Sequence, residues 1–237
     1  MKKYYLILIL TLFFNYSKAQ IKKNQSKMKA EATVSLINVC KSKLDIFDRF
    51  MNKGATDVEI QELEKFTGQK LPASYIQLLK TYNGEKRSLG FLGGFGYLGI
   101  EEVKREWLFF KNAPETKPEA INQVKKITDI LYSTKRIPFA HDGSGNFLCI
   151  DFIPNTDGIL GQIIYLPCGD PEPVSVIVDD FEDFLNLIIG KIKSEKLKLV
   201  DEREDWDAKD WEKADIYFES TWNDDWSDIA EEYNTKK

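Results

Sequence analysis

The single histidine, His141, is followed by Asp142 and Ser144, the residue types that in a hydrolase act as base, orienting carboxylate and nucleophile. All three fall in one glycine-rich stretch, His141-Asp142-Gly143-Ser144-Gly145-Asn146. Close neighbours in a tight turn seldom reach the mutual orientation a triad requires, and no GxSxG elbow raises the serine. His141 is therefore expected to be a turn residue hydrogen-bonded to backbone. Asp142, Asp151 and Asp157 offer carboxylates to a cation, but their spacing fits no EF-hand loop and they read as solvated turn acids. Zinc would find no CxxC pair and one histidine. The glycines from Gly90 to Gly99 lack the lysine and serine or threonine that follow in a phosphate loop. No catalytic, cofactor-binding or metal-ligating residue is assigned.

The remaining candidates are aromatic. Residues 201–237 hold fourteen acids against five bases, together with Trp206, Trp211, Trp222 and Trp226, four of the five tryptophans in the chain. Such acidity by itself favours disorder, yet indoles are costly to leave in water. The segment is expected to be a partly ordered extension whose rings pack on the domain or on a partner. Trp206, Trp211, Trp222 and Trp226, with Asp224 and Asp225, are the candidate partner-binding residues. Flat indoles also suit sugar faces, but protein packing is the stronger reading. The formal charge is −5, and removal of residues 1–19 takes away Lys2, Lys3 and Lys18 and no acid, leaving −8. Such a field repels phosphate and attracts basic surfaces, which argues against nucleic acid and for a basic protein partner.

These residues must be positioned by a body of about one domain, since 237 residues suffice for a single filled core with extensions. Ile37, Cys40, Leu44, Phe47 and Met51 recur at helical spacing and predict a helix over 30–51. Thr56-Asp57-Val58-Glu59 is a capping box that opens a second helix with inner face Ile60, Leu63 and Phe66. Leu71-Pro72 opens a third, lined by Tyr75, Leu79 and Tyr82 and ended by Asn83-Gly84. Short strands with tight turns are expected over 89–99, then a short helix carrying Val103, Trp107 and Phe110. A polar connection with one helical turn is expected over 114–130. Apolar runs at 137–140, 147–152, 162–166 and 174–178 predict four strands, and Asp179 or Asp180 caps a helix striped by Phe181, Phe184, Leu185, Ile188 and Ile189. Ile216-Tyr217-Phe218 suits a short edge strand. Removal of 201–237 is expected to leave a folded domain.

The N-terminus reads as an export signal: Lys2 and Lys3, an apolar run from Tyr5 to Phe14, and Ser17-Lys18-Ala19 before Gln20. The organisation is thus a signal peptide at 1–19, a linker at 20–29, a domain at 30–200 and an acidic tryptophan-rich extension at 201–237. The product is expected to be periplasmic or extracellular, with no integral membrane segment after cleavage. Cys40, Cys149 and Cys168 leave two readings open: three buried thiols, or one bridge between Cys149 and Cys168.

The stretch from Ile60 through Leu63-Glu64, Gly68 and Leu71-Pro72-Ala73-Ser74-Tyr75 to Asn83-Gly84 resembles the opening motif of the SMI1/KNR4 (SUKH) superfamily. Ile137-Pro138-Phe139-Ala140, Gly143, Asn146 and Ile150-Asp151 resemble its second, and Gly161-Gln162-Ile163-Ile164 and Asp180-Phe181 follow in the expected order. The resemblance covers about residues 40–192. It implies an α+β fold with N-terminal helices, a mainly antiparallel sheet and a closing helix, and no catalytic role. It commonly implies an immunity protein that neutralises a toxin, while fungal relatives are scaffolds in cell-wall signalling. On this resemblance Leu71, Pro72, Tyr75, Asn83, Gly84, Gly143, Asn146 and Asp151 are structural. The export signal is a departure from the usual cytoplasmic immunity protein and favours a toxin acting in the envelope.

Overall fold

A computed structural model describes residues 31–167, 172–207, 210–220 and 226–235. The proposed signal peptide, the linker and Cys168 lie outside the described residues, as do Trp222, Asp224 and Asp225. The order of elements is α1 (31–43), β1 (Met51–Lys53), α2 (Asp57–Thr67), α3 (Ala73–Thr81), β2 (Tyr82–Glu85), β3 (Gly96–Tyr97) and α4 (Ile100–Asn112), followed by β4 (Arg136–His141), β5 (Phe147–Asp151), β6 (Gln162–Leu166), β7 (Ser175–Val178) and α5 (Phe181–Lys193). It closes with β8 (Leu197–Asp201), β9 (Ile216–Ser220) and α6 (Trp226–Thr235).

Strands β3 to β7 form an antiparallel sheet in sequence order, and β1–β2 and β8–β9 form two separate antiparallel pairs. This is the expected α+β arrangement. Every residue of β5 and β6 is buried, because the sheet is covered on both faces. Leu148, Ile150, Ile163, Tyr165 and Ile177 point into the main core with the helices. Phe147, Cys149, Ile164, Leu166 and Val176 point the other way, into a second cluster closed by Phe110, Ile127 and Leu131. That two-sided burial is why the strands read as continuous apolar runs rather than alternating ones.

The connection over 114–132 supplies the second cover. It contains the one expected turn, in which Gln123 O accepts from Lys126 N at 2.8 Å and Ile127 N at 3.1 Å, and it is fastened to the sheet by polar groups. The Arg136 guanidinium donates to the carbonyls of Thr128 (3.2 Å) and Leu131 (2.9 Å) and also to that of Ile130. Its Nε faces Asp151 Oδ1 at 3.4 Å, and Gln162 Nε2 donates to Asp151 Oδ2 at 3.0 Å. Asp151 is wholly buried, so it is no solvated turn acid. A buried charge needs this partnering, since desolvation otherwise costs several kcal/mol, roughly.

The open edge of the sheet at β7 is sealed. Asn122 N donates to Val174 O and Val174 N to Ala120 O, both at 3.0 Å. Beyond them, Val176 N donates to Gln123 Oε1 at 2.8 Å, and Asn234 Nδ2 of α6 donates to Val176 O at 3.0 Å.

Several helical expectations are corrected at their ends. The first helix stops at 43 and gives way to a 3-10 turn, Phe47–Phe50, and then to β1. The apolar spacing persists because the turn and strand bury Phe47 and Met51 in the same core. On α2, whose capping box forms as expected, Phe66 is 41 % exposed and stacks on Trp107, while Thr67 takes the inward position. The third helix ends at Thr81, so Asn83-Gly84 lies in β2. Asn83 Oδ1 instead accepts the Ile100 amide at 2.8 Å, capping α4. Gly84 has φ +82°, and a Cβ there would lie 2.3 Å from Gly99 N. The side chain of Asp180 caps α5, accepting from Asp183 N at 2.9 Å. Phe181, Phe184, Leu185 and Ile188 on that helix are fully buried, each stabilising the fold by roughly 1.5–3 kcal/mol.

Candidate functional site

The 201–237 region divides into core and surface. Strand β8, which no expectation foresaw, pairs with β9 from Leu197↔Ser220 to Asp201↔Ile216, crossing the boundary drawn at residue 200. Ala214, Ile216, Phe218, Trp226 and Ile229 all join the main core. Trp226 is 7 % exposed and packs edge-on to Phe95 at 5.7 Å and stacked with Tyr165 at 6.4 Å. Its proposed partner-binding role is thereby corrected: the indole is consumed by the fold. The receiving loop is shaped for it. Gly93 has φ +77°, and a Cβ there would meet the Trp226 ring at 2.8 Å.

Trp206 and Trp211 have the other fate. They line an open groove of about 680 Å³ beside Arg49, Arg203, Glu204 and Asp207. Trp211 is half-buried against Phe50, with ring centroids 5.8 Å apart, and the Arg49 guanidinium lies 5.2 Å from its centroid. The backbone around it is held by Arg87, which donates to Glu212 O at 2.7 Å and Ala214 O at 2.6 Å. Trp206 is 43 % exposed, and Lys213 Nζ sits 6.0 Å from its centroid.

Beneath the indoles the charges are fixed. Arg203 Nε contacts both carboxylate oxygens of Asp201, at 2.9 and 3.0 Å, while its NH2 group reaches Asp201 at 2.7 Å and Asp45 at 2.8 Å. These hydrogen bonds hold the carboxyls of Asp201 and Asp45 below their ordinary values and push the Arg203 guanidinium up. Lys43 pairs with Glu195 and depresses that carboxyl in the same way. Arg49, Arg203 and Asp45 were missed by the sequence reading, because the contact between Asp45 and Arg203 joins positions 158 apart.

The expected turn chemistry is present at His141. Its Nδ1 accepts the Gly143 amide at 2.9 Å. Asp142 accepts from the amides of Ser144 (2.7 Å) and Asn146 (3.1 Å) and from Asn146 Nδ2 (2.7 Å). The carboxylate that would orient a catalytic histidine is thus engaged by the turn itself. The other motif residues also sit in structural positions. The Leu71 amide donates to Glu64 at 3.0 Å, Pro72 precedes α3, and Tyr75 is buried against Phe181 and Phe139. Among the described residues no group of three or more His, Cys, Asp or Glu side chains can hold a metal, and no helix is long and apolar enough to cross a membrane.

Fold and surface together define an α+β domain with a sheet buried on both faces and an open groove lined by two tryptophans. The SMI1/KNR4 family (SUKH-1) model matches residues 54–187, and the chain belongs to that family. A curated relative, the "Cell wall biosynthesis/cell cycle regulator smi1" of Schizosaccharomyces pombe, is 27 % identical over 168 residues. That match takes in 63 % of this chain and 33 % of the relative, so the chain spans about a third of that protein's length.

Proposed function

We propose that this chain is a non-catalytic protein-binding module of the immunity type, which binds and neutralises a toxin protein through the Trp206–Trp211 groove. The observation that carries the reading is the exposed indole of Trp206 beside a half-buried Trp211, on a ribbon fixed from below by Arg203. Aromatic anchors on a rigid base, with charged groups around them, are the features that concentrate binding energy at protein interfaces. Membership of the SUKH-1 family, which includes immunity proteins, supports the same reading. The engagement of Asp142 and His141 in their own turn supports the non-catalytic part of the reading. Export through residues 1–19 belongs to the proposal and puts the toxin in the envelope.

The test is co-expression with a neighbouring gene for a large secreted protein with a variable C-terminal domain. The expected result is rescue of growth and a stable one-to-one complex, and failure to rescue by a properly exported chain overturns the reading. The name of the Schizosaccharomyces pombe relative, a cell wall biosynthesis and cell cycle regulator, favours a second reading, a cell-wall-associated scaffold of the same fold. Sedimentation of the pure chain with wall polymer would support it.

A further inference from the structure

The charges around the groove indicate what would enter it. Of the cations lining it, Lys43 is paired with Glu195, and Arg203 is paired with Asp201 and Asp45. Arg49 lies over the Trp211 ring. The carboxylates Glu204 and Asp207 line the same groove, both exposed, and make no ion pair among the described residues. Glu202 and Asp205 are exposed in the same turn. The groove therefore offers two indole rings and, with Glu202 and Asp205 beside it, four carboxylates without an ion pair among the described residues against one such cation, Arg49.

The chain itself shows what these rings accept. Each already carries a cation of this molecule, Arg49 over Trp211 and Lys213 over Trp206, while nearly half of Trp206 is still open. An indole face attracts a cation through its quadrupole, and a planar guanidinium both stacks on it and forks to a carboxylate. We infer that the groove takes an arginine side chain of the partner, seated on Trp206 with its guanidinium turned to Glu204 and Asp207. This rests on the protein-binding reading above and adds to it the chemistry of the contact.

The experiment uses full-length chain and a capped tetra-arginine peptide as the probe. Titration is followed by the indole Nε1–H resonance of Trp206 and, for affinities of the parent and every variant, by calorimetry. The expected result is a saturable shift of that resonance, with tetra-glutamate giving none. Trp206→Ala is expected to weaken tetra-arginine binding about fivefold, as is the pair Glu204→Gln with Asp207→Asn. Glu62→Gln, on the exposed face of α2, is expected to leave it unchanged. A resonance that does not move overturns the inference. So does equal weakening by Glu62→Gln, which would mean attraction to net charge alone. The two proposals fail separately: a chain that binds tetra-arginine at Trp206 yet gives no rescue loses the immunity reading and keeps the groove. Rescue undiminished by Trp206→Ala does the reverse.

Discussion

Trp206 and Trp226 stand twenty positions apart in the same acidic segment and have opposite fates. The later one is enclosed by Phe95, Tyr165 and Phe184, while the earlier one has a lysine for its neighbour and a groove in front of it. Composition treats the two alike, but packing separates them. Trp226 opens α6 and meets a glycine that leaves room for its ring, whereas Trp206 follows β8 on a two-stranded ribbon covered from one side only. An acidic, aromatic tail can thus be part core and part exposed surface.

The most severe test of that division is truncation after Val200. It removes β9 and α6, and with them five buried side chains of the main core. The product is expected to lose its near-ultraviolet dichroism and to bind ANS, against the folded domain that composition alone suggested. A native-like spectrum would return the whole segment to the status of an extension. Next in size, Trp226→Ala should cost about 4 kcal/mol in urea unfolding, as for a large buried aromatic reduced to a methyl.

Glu85 sharpens the comparison from the body's side, because it holds the loop that receives the tail. Its Oε2 accepts the Leu89 amide at 2.7 Å, and Leu89 O in turn accepts the Phe218 amide of β9, also at 2.7 Å. Burial pushes its carboxyl up to about 7 from an ordinary 4.5, and Glu102 pushes in the same direction. Between those values the folded chain keeps a proton that the unfolded chain has released. Stability is therefore expected to fall as pH rises from about 4.5 to about 7, by roughly 3 kcal/mol, and then to level off. Urea midpoints across that range check this, and Glu85→Gln should flatten the slope. The smallest effect is Trp206→Ala, expected within about 0.5 kcal/mol of the parent in unfolding while tetra-arginine binding weakens about fivefold. A cost as large as that of Trp226→Ala would erase the distinction.

Much of the body was legible in the sequence for one physical reason: its elements are locally consistent. The Thr56–Glu59 capping box, the stripe on α5 and the four apolar runs of the sheet each carry their own explanation within a few residues. What escaped depends on distant partners. Leu197-Lys198-Leu199-Val200-Asp201 follows a helix with lysines, and only Ile216–Ser220 gives it reason to be a strand. Asn83-Gly84 looks like a helix end and instead lies in β2, with the Asn83 side chain capping the next helix. Asp151 has no feature that distinguishes it from a turn acid until Arg136 and Gln162 close on it. In the candidate site the indoles were visible as residue types, but which one was available was not, nor were the arginine fork and Asp45 beneath them.

The seal along β7 has a consequence for the protein in crowded solution. Outer strands of a sheet commonly resist stacking onto neighbouring copies by carrying lysine, proline or a bulge. Here two neutral amides, Gln123 and Asn234, together with the 120–122 segment, take up backbone groups of Val174 and Val176 at a strand, Ser175-Val176-Ile177-Val178, rich in β-branched residues and free of charge. Protection of this edge is therefore delegated to residues far away in sequence, and loss of α6 would uncover the Val176 carbonyl while the 120–123 contacts stayed.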